Sequence, residues 1–217
     1  MNTDFRTRRW SLVGALVATA CLAAAAASFA QEGVKETEQF IKAGGNTSHA
    51  VGEAKTQLQT TLANYNDLLS KEAKEMKDSY SKLRKNLKDF DDKTTDARTR
   101  VTEMKATGAT YFAGRSAMVK KISDPALQSQ AQERLDASQK DFAGVLASLD
   151  EARVALEPLR KDLADHVKYL ESDLSPSGTA SLKPQAAAAN AAAATVFAKG
   201  DDAIRTANAY FTGLRAR

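Results

Sequence analysis

The chain has one cysteine, Cys21, and one tryptophan, Trp10, among its 217 residues, and both lie within the first thirty. If those thirty residues are removed on export, the remaining chain has no thiol. That absence excludes a disulfide, a thiolate metal ligand and a cysteine nucleophile. The remaining chain would also have no indole, so its fluorescence would come from tyrosine.

Histidine is almost as scarce. His49 and His166 are the only two, and neither has a second imidazole or a thiol at ligand spacing, which argues against a His/Cys metal site. We interpret His166 as a partly buried helix residue at the edge of an apolar stripe. The acidic pairs Asp91-Asp92 and Asp201-Asp202 are adjacent in sequence. Adjacent residues on a helix diverge by about 100°, so these pairs do not form a carboxylate dyad.

Motifs that bind cofactors or activate nucleophiles are missing from the sequence. No stretch resembles a phosphate-binding loop, a nucleophile elbow or a dinucleotide fingerprint. We therefore predict no catalytic residue, no cofactor and no metal ion, and we expect that the protein is not an enzyme.

The first thirty residues show the three parts of a secretory signal peptide. Three arginines between residues 6 and 9 are followed by an uncharged apolar stretch that runs to about residue 27. Ser28-Phe29-Ala30 then supplies small residues at the two positions that signal peptidase reads. The pattern predicts cleavage between Ala30 and Gln31 and a mature protein in the periplasm.

Two other interpretations of this segment stay open. Cys21 follows Ala18-Thr19-Ala20, so the chain is alternatively a lipoprotein anchored at Cys21. Ala18 is a poor match to the Leu-like residue expected there, and processing at Cys21 would leave residues 22–30 as an apolar start. The second alternative is an uncleaved membrane anchor, because about 18 apolar residues lie near the lower limit for a spanning helix.

Charge gives little support for nucleic-acid binding. The full chain has 31 basic and 27 acidic residues, a formal charge of +4. The leader holds three arginines and one aspartate, which leaves 28 basic and 26 acidic residues and a charge of +2. Lysines and arginines are dense over residues 71–88, but acidic residues are interleaved with them. Such mixing is typical of a solvated helix face with i,i+4 pairs, and a lipid or acidic-partner patch is the alternative.

Long helices are the predicted architecture. Proline and glycine are few, and apolar residues recur at intervals of three and four over residues 51–104 and again over 127–174. Asp124 is suited to cap a helix that begins at Pro125. We therefore predict an all-α fold in four parts: a signal peptide at 1–30, a short helix and turn at 31–46, a long antiparallel helical hairpin or coiled coil at 47–174 with its turn near 122–124, and a C-terminal helical region at 175–217.

Several details of this arrangement follow from the spacing. Gly44-Gly45-Asn46 is predicted to end the short helix, and one helix is predicted from about 47 to about 121. Its stripe repeats every eleven residues up to Ala73 and as strict heptads from Ala73 to Met104. The second helix is too short to cover residues 51–65. Their partner is the 31–43 helix, the C-terminal region or a second subunit. Gly200 is a candidate break in the C-terminal region.

The stretch from Arg98 to Lys183 resembles a bacterial family catalogued as domain of unknown function 2959. The matching segments are Arg-Val-Thr-Glu at 100–103, Ala-Thr-Tyr-Phe at 109–112, Gln-Glu-Arg-Leu at 132–135, Leu-Glu-Pro-Leu-Arg-Lys-Asp-Leu at 156–163, His-Val-Lys-Tyr-Leu at 166–170 and Leu-Ser-Pro-Ser-Gly at 174–178. The resemblance implies an exported helical protein, often with a lipoprotein signal. It supplies no activity and no site residues.

Together these patterns predict a non-enzymatic coiled-coil protein of the bacterial cell envelope that acts as a scaffold or a partner-docking rod. A periplasmic holdase-type chaperone and a lipid-surface-binding helical protein are the alternatives. The expected partner is another protein, or a second copy joined through the helical stripes. Nucleic acid is not expected, and membrane contact is a weaker alternative.

The intact mass of the mature protein distinguishes the processing alternatives. Cleavage by signal peptidase gives a chain that begins at Gln31. Lipoprotein processing gives a chain that begins ten residues earlier, at Cys21, and carries acyl groups. We expect the Gln31 mass in the periplasmic fraction. An acylated mass in the membrane fraction would contradict cleavage at Ala30.

Overall fold

A computed structural model describes the backbone of residues 11–216 and the side chains of residues 33–216. Within these residues the chain forms five helices and no strand: α1 (Ser11–Leu68), α2 (Ala73–Val119), α3 (Pro125–Ser172), α4 (Pro176–Ser181) and α5 (Lys183–Arg215). The predicted all-α fold is confirmed. The side chains of Cys21, Ala30 and Gln31 lie outside the described residues, as do the leader arginines, so the predicted processing sites stay predictions.

The four long helices form an antiparallel bundle in the cyclic order α1, α2, α3, α5. Each neighbouring pair is joined by polar contacts that advance along one helix and go back along the other, which defines an up-down-up-down arrangement. These contacts join Thr47 to Arg100 and Thr61 to Asn86 (α1 and α2), Tyr80 to Val167 and Arg98 to Glu157 (α2 and α3), Ser138 to Tyr210 and Glu151 to Lys199 (α3 and α5), and Lys55 to Asp201 and Asn66 to Asn190 (α1 and α5).

The turn between α2 and α3 follows the sequence prediction. Asp124 has extended backbone, and its Oδ1 accepts hydrogen bonds from the amides of Ala126 at 2.8 Å and Leu127 at 3.0 Å. Pro125 opens α3, where no intrahelical N–H partner is needed. α3 then ends at Ser172, close to the predicted end of the second helix.

The prediction of one helix from about 47 to about 121 is wrong. The chain reverses between α1 and α2, where the Ser70 amide donates to the Asp67 carbonyl and Glu72 has extended backbone. The reversal lets residues 51–65 pack on α2 instead of continuing away from it. Tertiary burial of an apolar face outweighs the extra turn of helix that continuity would give.

Glycines predicted to interrupt helices lie inside them. Gly44 and Gly45 are interior to α1, and Gly200 is interior to α5, so the predicted turn at 44–46 is wrong. The physical reason is visible at Gly44, which is buried against the ring of Phe211 and has no room for a Cβ. Burial of that ring outweighs the glycine penalty of about 1 kcal/mol in a helix interior.

The predicted apolar stripes are buried, with few exceptions. Residues 51–65, which had no partner in the predicted hairpin, pack against α2 and α5, so the C-terminal region is the partner together with α2. Leu127 is the main exception and is 55% exposed. In the alanine-rich run at 186–194, Ala186, Ala189 and Ala193 are buried, and the other alanines face solvent.

The interior is divided into two clusters along the bundle axis. The upper core lies at the end where α1 turns into α2 and is mainly aliphatic. The lower core lies towards the end where α2 turns into α3 and is built on aromatic rings. Phe40, fully buried, contacts five other rings with centroid distances between 4.9 and 6.1 Å. These rings belong to Tyr111, Phe112, Phe142, Tyr210 and Phe211.

Substitution of the two adjacent glycines in α1 should have opposite effects. Gly44→Ala places a methyl group on the Phe211 ring, and we expect the free energy of unfolding to fall by about 1–3 kcal/mol. In Gly45→Ala the added Cβ meets no atom within 4 Å, so the gain in helix propensity should raise the free energy of unfolding by about 0.5–1 kcal/mol. Urea denaturation of both variants measures the difference. Equal effects would contradict the packing described for Gly44.

Candidate functional site

A cleft lies between the upper and lower cores, at the middle of the bundle. Its volume is about 270 Å³, and all four long helices line it. Each helix contributes one small residue to this layer: Ala54, Ala97, Ala152 and Gly200. Since protein interiors are otherwise filled to near-crystalline density, a layer of four small residues leaves room that neighbouring side chains do not fill.

The walls of the cleft are apolar. They are formed by large side chains from both cores, namely Leu58, Phe90, Leu149, Leu156 and Val196. Two threonine hydroxyls also lie in the lining, but each donates to a carbonyl of its own helix. Thr94 donates to Phe90 at 2.9 Å, and Thr102 donates to Arg98 at 3.0 Å. The inner part of the cleft therefore suits a hydrocarbon group.

The mouth of the cleft opens between α2 and α3, which pack less closely than the other neighbouring helices. The exposed lining residues Arg98, Thr102 and Lys105 lie three and four positions apart and share one face of α2. Asp150 and Arg153 face them from α3.

Ion pairs fix most of the charged groups around the cleft. Arg98 pairs with Glu157 across the mouth, and Lys55 pairs with Asp201 on the α5 side. Asp150, the one acidic lining residue, accepts from Arg153 at 2.9 Å. Lys105 has no carboxylate within ion-pair distance among residues 33–216. The mouth therefore has a positive charge in excess of its carboxylates.

A polar pair, Tyr65 and His166, lies in the upper core, away from the cleft. The Tyr65 hydroxyl lies 3.1 Å from His166 Nδ1, and the two rings stack with centroids 5.6 Å apart. Burial raises the pKa of Tyr65 to about 12. Burial also lowers the pKa of His166 from its usual 6.5, against the opposing effect of Asp162 and Asp165. The structure places His166 half-buried on α3, as the sequence pattern indicates.

The acidic pairs singled out in the sequence do not converge. Asp91 lies 3.3 Å from Arg160, and Asp92 lies 2.7 Å from Lys88. Asp201 and Asp202 likewise pair with different cations, Lys55 and Arg205. Each carboxylate thus has a basic partner of its own.

The remaining candidate residues are on the surface. His49 is exposed, with its Nδ1 3.8 Å from Glu53 Oε2. Over the basic stretch at 71–88, several lysines pair with acidic neighbours as predicted: Lys71 with Asp67, Lys74 with Glu72, Lys85 with Asp89 and Lys88 with Asp92. In the part of the chain that the structure describes, no three His, Cys, Asp or Glu residues lie together as metal ligands.

No helix among the described residues is both long enough and apolar enough to cross a membrane.

A family model described as protein of unknown function (DUF2959) matches residues 27–214. The chain belongs to this family, and the match extends the resemblance found over residues 98–183 to most of the bundle. No curated protein and no solved structure matches the chain.

The cleft was not predicted from the sequence. One signal was present: Ala54, Ala97 and Ala152 occupy stripe positions that are filled by Leu or Phe elsewhere in the same helices. Gly200, a predicted candidate break, is a small interior residue of α5. The three alanines come from helices whose lateral order the sequence does not give, so their convergence in one layer was not apparent.

Acidification should weaken the fold through His166. Its pKa is lower in the folded protein than in the unfolded chain, so below about pH 6.5 the unfolded chain binds a proton that the folded protein does not. Stability contributed by neutral His166 is therefore lost as the pH falls from 7.5 towards 5.5. We expect the urea midpoint of the wild type to fall over this range more than that of His166→Gln.

The matched control for this measurement is His49→Gln, since His49 is exposed. This variant should keep the pH dependence of the wild type. If the urea midpoints of the wild type and His166→Gln depend on pH in the same way, His166 is not the source of the acid destabilisation.

Proposed function

We propose that the protein is a non-enzymatic component of the bacterial cell envelope, exported to the periplasm, where it acts as a rigid helical rod that docks a partner protein. The observation that carries this proposal is that ion pairs join the helices at all four interfaces of the bundle. They link Glu53 to Lys93, Asp91 to Arg160, Glu151 to Lys199 and Lys55 to Asp201.

These ion pairs fix the register of the helices but contribute little to the free energy of unfolding. Each is partly exposed, and an exposed pair contributes on the order of 0–1 kcal/mol. Their distribution over four interfaces nevertheless opposes sliding of one helix along its neighbour. The helices α2 and α3, with 47 and 48 residues, are each about 70 Å long. A rod of fixed register presents separated surface positions at constant distances, as a scaffold requires.

The cleft chemistry supports a non-enzymatic role. Its two threonine hydroxyls donate to their own helices, and the charged groups at its mouth are mostly paired. Burial raises the pKa of Tyr65, but this residue lies in the upper core against His166 and is not part of the cleft lining. A nucleophile with an adjacent base is the arrangement that acyl or phosphoryl transfer needs, and the cleft lining does not provide one.

Export is proposed from the leader pattern, with cleavage between Ala30 and Gln31. Anchoring through Cys21 is the alternative, and it would hold the same rod at a membrane surface. The holdase alternative loses its main support, because the stripe at 51–65 is buried between α2 and α5 instead of forming an open apolar arm.

Photo-crosslinking in cells tests the docking role. Among residues 33–216, the large apolar side chains that remain exposed are Val34, Leu127, Val154 and Tyr169, which are 38–58% exposed. A benzophenone amino acid at each of these positions should give a discrete crosslinked product from at least one position in the periplasmic fraction. Glu133, an exposed position on α3, is the matched control.

Two outcomes would contradict this proposal. One is the absence of a position-dependent product at all four apolar positions. The other is suppression of the aggregation of a denatured client by equimolar mature protein, which would favour the holdase alternative. Retention of the chain in the cytosolic fraction would contradict export separately from docking.

A further inference from the structure

We propose that the cleft binds one single-chain carboxylate amphiphile of medium length, with the hydrocarbon tail between the two cores and the carboxylate at the mouth between α2 and α3. This small-molecule site goes beyond the docking role, which depends on the outer surface of the rod. Size, wall chemistry and charge at the mouth each support it.

The size of the cleft selects a single chain. A methylene group occupies roughly the volume of a water molecule, about 30 Å³, so a cavity of about 270 Å³ holds one tail of about eight to ten carbons. A phospholipid has two tails that are each longer than this. The volume therefore favours a free carboxylate over a membrane lipid.

The walls select a hydrocarbon tail. The large lining residues Leu58, Phe90 and Leu156 are aliphatic or aromatic, and the two threonine hydroxyls nearby already donate to helix carbonyls. A polar ligand would leave its own donors and acceptors without partners between the cores, which costs free energy. A methylene chain has no such groups, and its burial replaces contact with water.

The mouth selects an anionic head group. Of the lining residues that the structure describes, four are basic and one, Asp150, is acidic. Arg98, Arg153 and Lys55 each already hold a carboxylate of this chain, whereas Lys105 holds none among residues 33–216. A ligand carboxylate near Lys105 would complete the same kind of pair that its neighbours make. Lys105 stands seven residues from Arg98, on the same face of α2.

The space around Gly200 indicates a substitution that should fill the cleft without disturbing its walls. A Cβ added at Gly200 meets no atom closer than Lys55 Cδ at 4.0 Å, so Gly200→Leu places a side chain in the space assigned to the tail. Gly213→Leu is the matched control. Gly213 lies in the same helix, outside the cleft lining, and its added Cβ meets no atom within 4 Å.

Isothermal titration of the mature protein with decanoate, below its micelle concentration, tests the proposal. We expect saturable binding of one decanoate to the wild type and to Gly213→Leu. Gly200→Leu should bind at least tenfold more weakly while its thermal midpoint is not lowered. Lys105→Glu should weaken decanoate binding several-fold, whereas Lys105→Arg, which keeps the positive charge, should bind decanoate as the wild type does.

Uncharged and membrane probes complete the test. Decanol should bind more weakly than decanoate, and vesicles of phosphatidylglycerol should not compete with decanoate. The site assignment is overturned if decanoate shows no saturable binding or if Gly200→Leu binds it as well as the wild type. Equal affinity for decanol and decanoate would overturn the carboxylate assignment. These outcomes leave the crosslinking test of docking unaffected.

Discussion

Burial of apolar stripes along four antiparallel helices is the interaction on which the rest of the structure depends. Aliphatic residues supply it in the upper core, and six clustered aromatic rings supply it in the lower core. Such ring pairs stabilise by about 0.5–1.5 kcal/mol beyond their buried area. Close packing of these rings requires glycine at Gly44 and Gly108, where an added Cβ would meet Phe211 or Phe142. The need for burial therefore explains both the reversals of the chain and the glycines inside its helices.

The helices, the Asp124 cap and most buried positions were predictable from the sequence, because each depends on local spacing or on a local capping residue. The reversal between α1 and α2 was not, since no proline or glycine marks residues 69–72. The change from an eleven-residue repeat to heptads at Ala73 was the available signal, and it coincides with the first residue of α2. A change of period marks a change of packing partner, which a list of breaking residues does not reveal.

The cleft and the polar pair of Tyr65 and His166 show a different limit of sequence reasoning. Both join residues that are more than ninety positions apart, and both require the lateral order of the helices. That order depends on three turns taken together, so an error at one of them changes which stripes face each other. The family match covers the bundle but describes no activity, so the proposed docking role rests on the ion pairs and the proposed ligand rests on the cleft.

The layer of small residues between the cores also determines how the molecule responds to compression. Well-packed interiors have low compressibility, and internal cavities are the main volume that unfolding eliminates. In this bundle the loosely filled space is the cleft at the middle of the rod, between two well-filled halves. Hydrostatic pressure would therefore act first on the centre of the molecule, and a ligand that fills the cleft would make the folded protein more resistant to it.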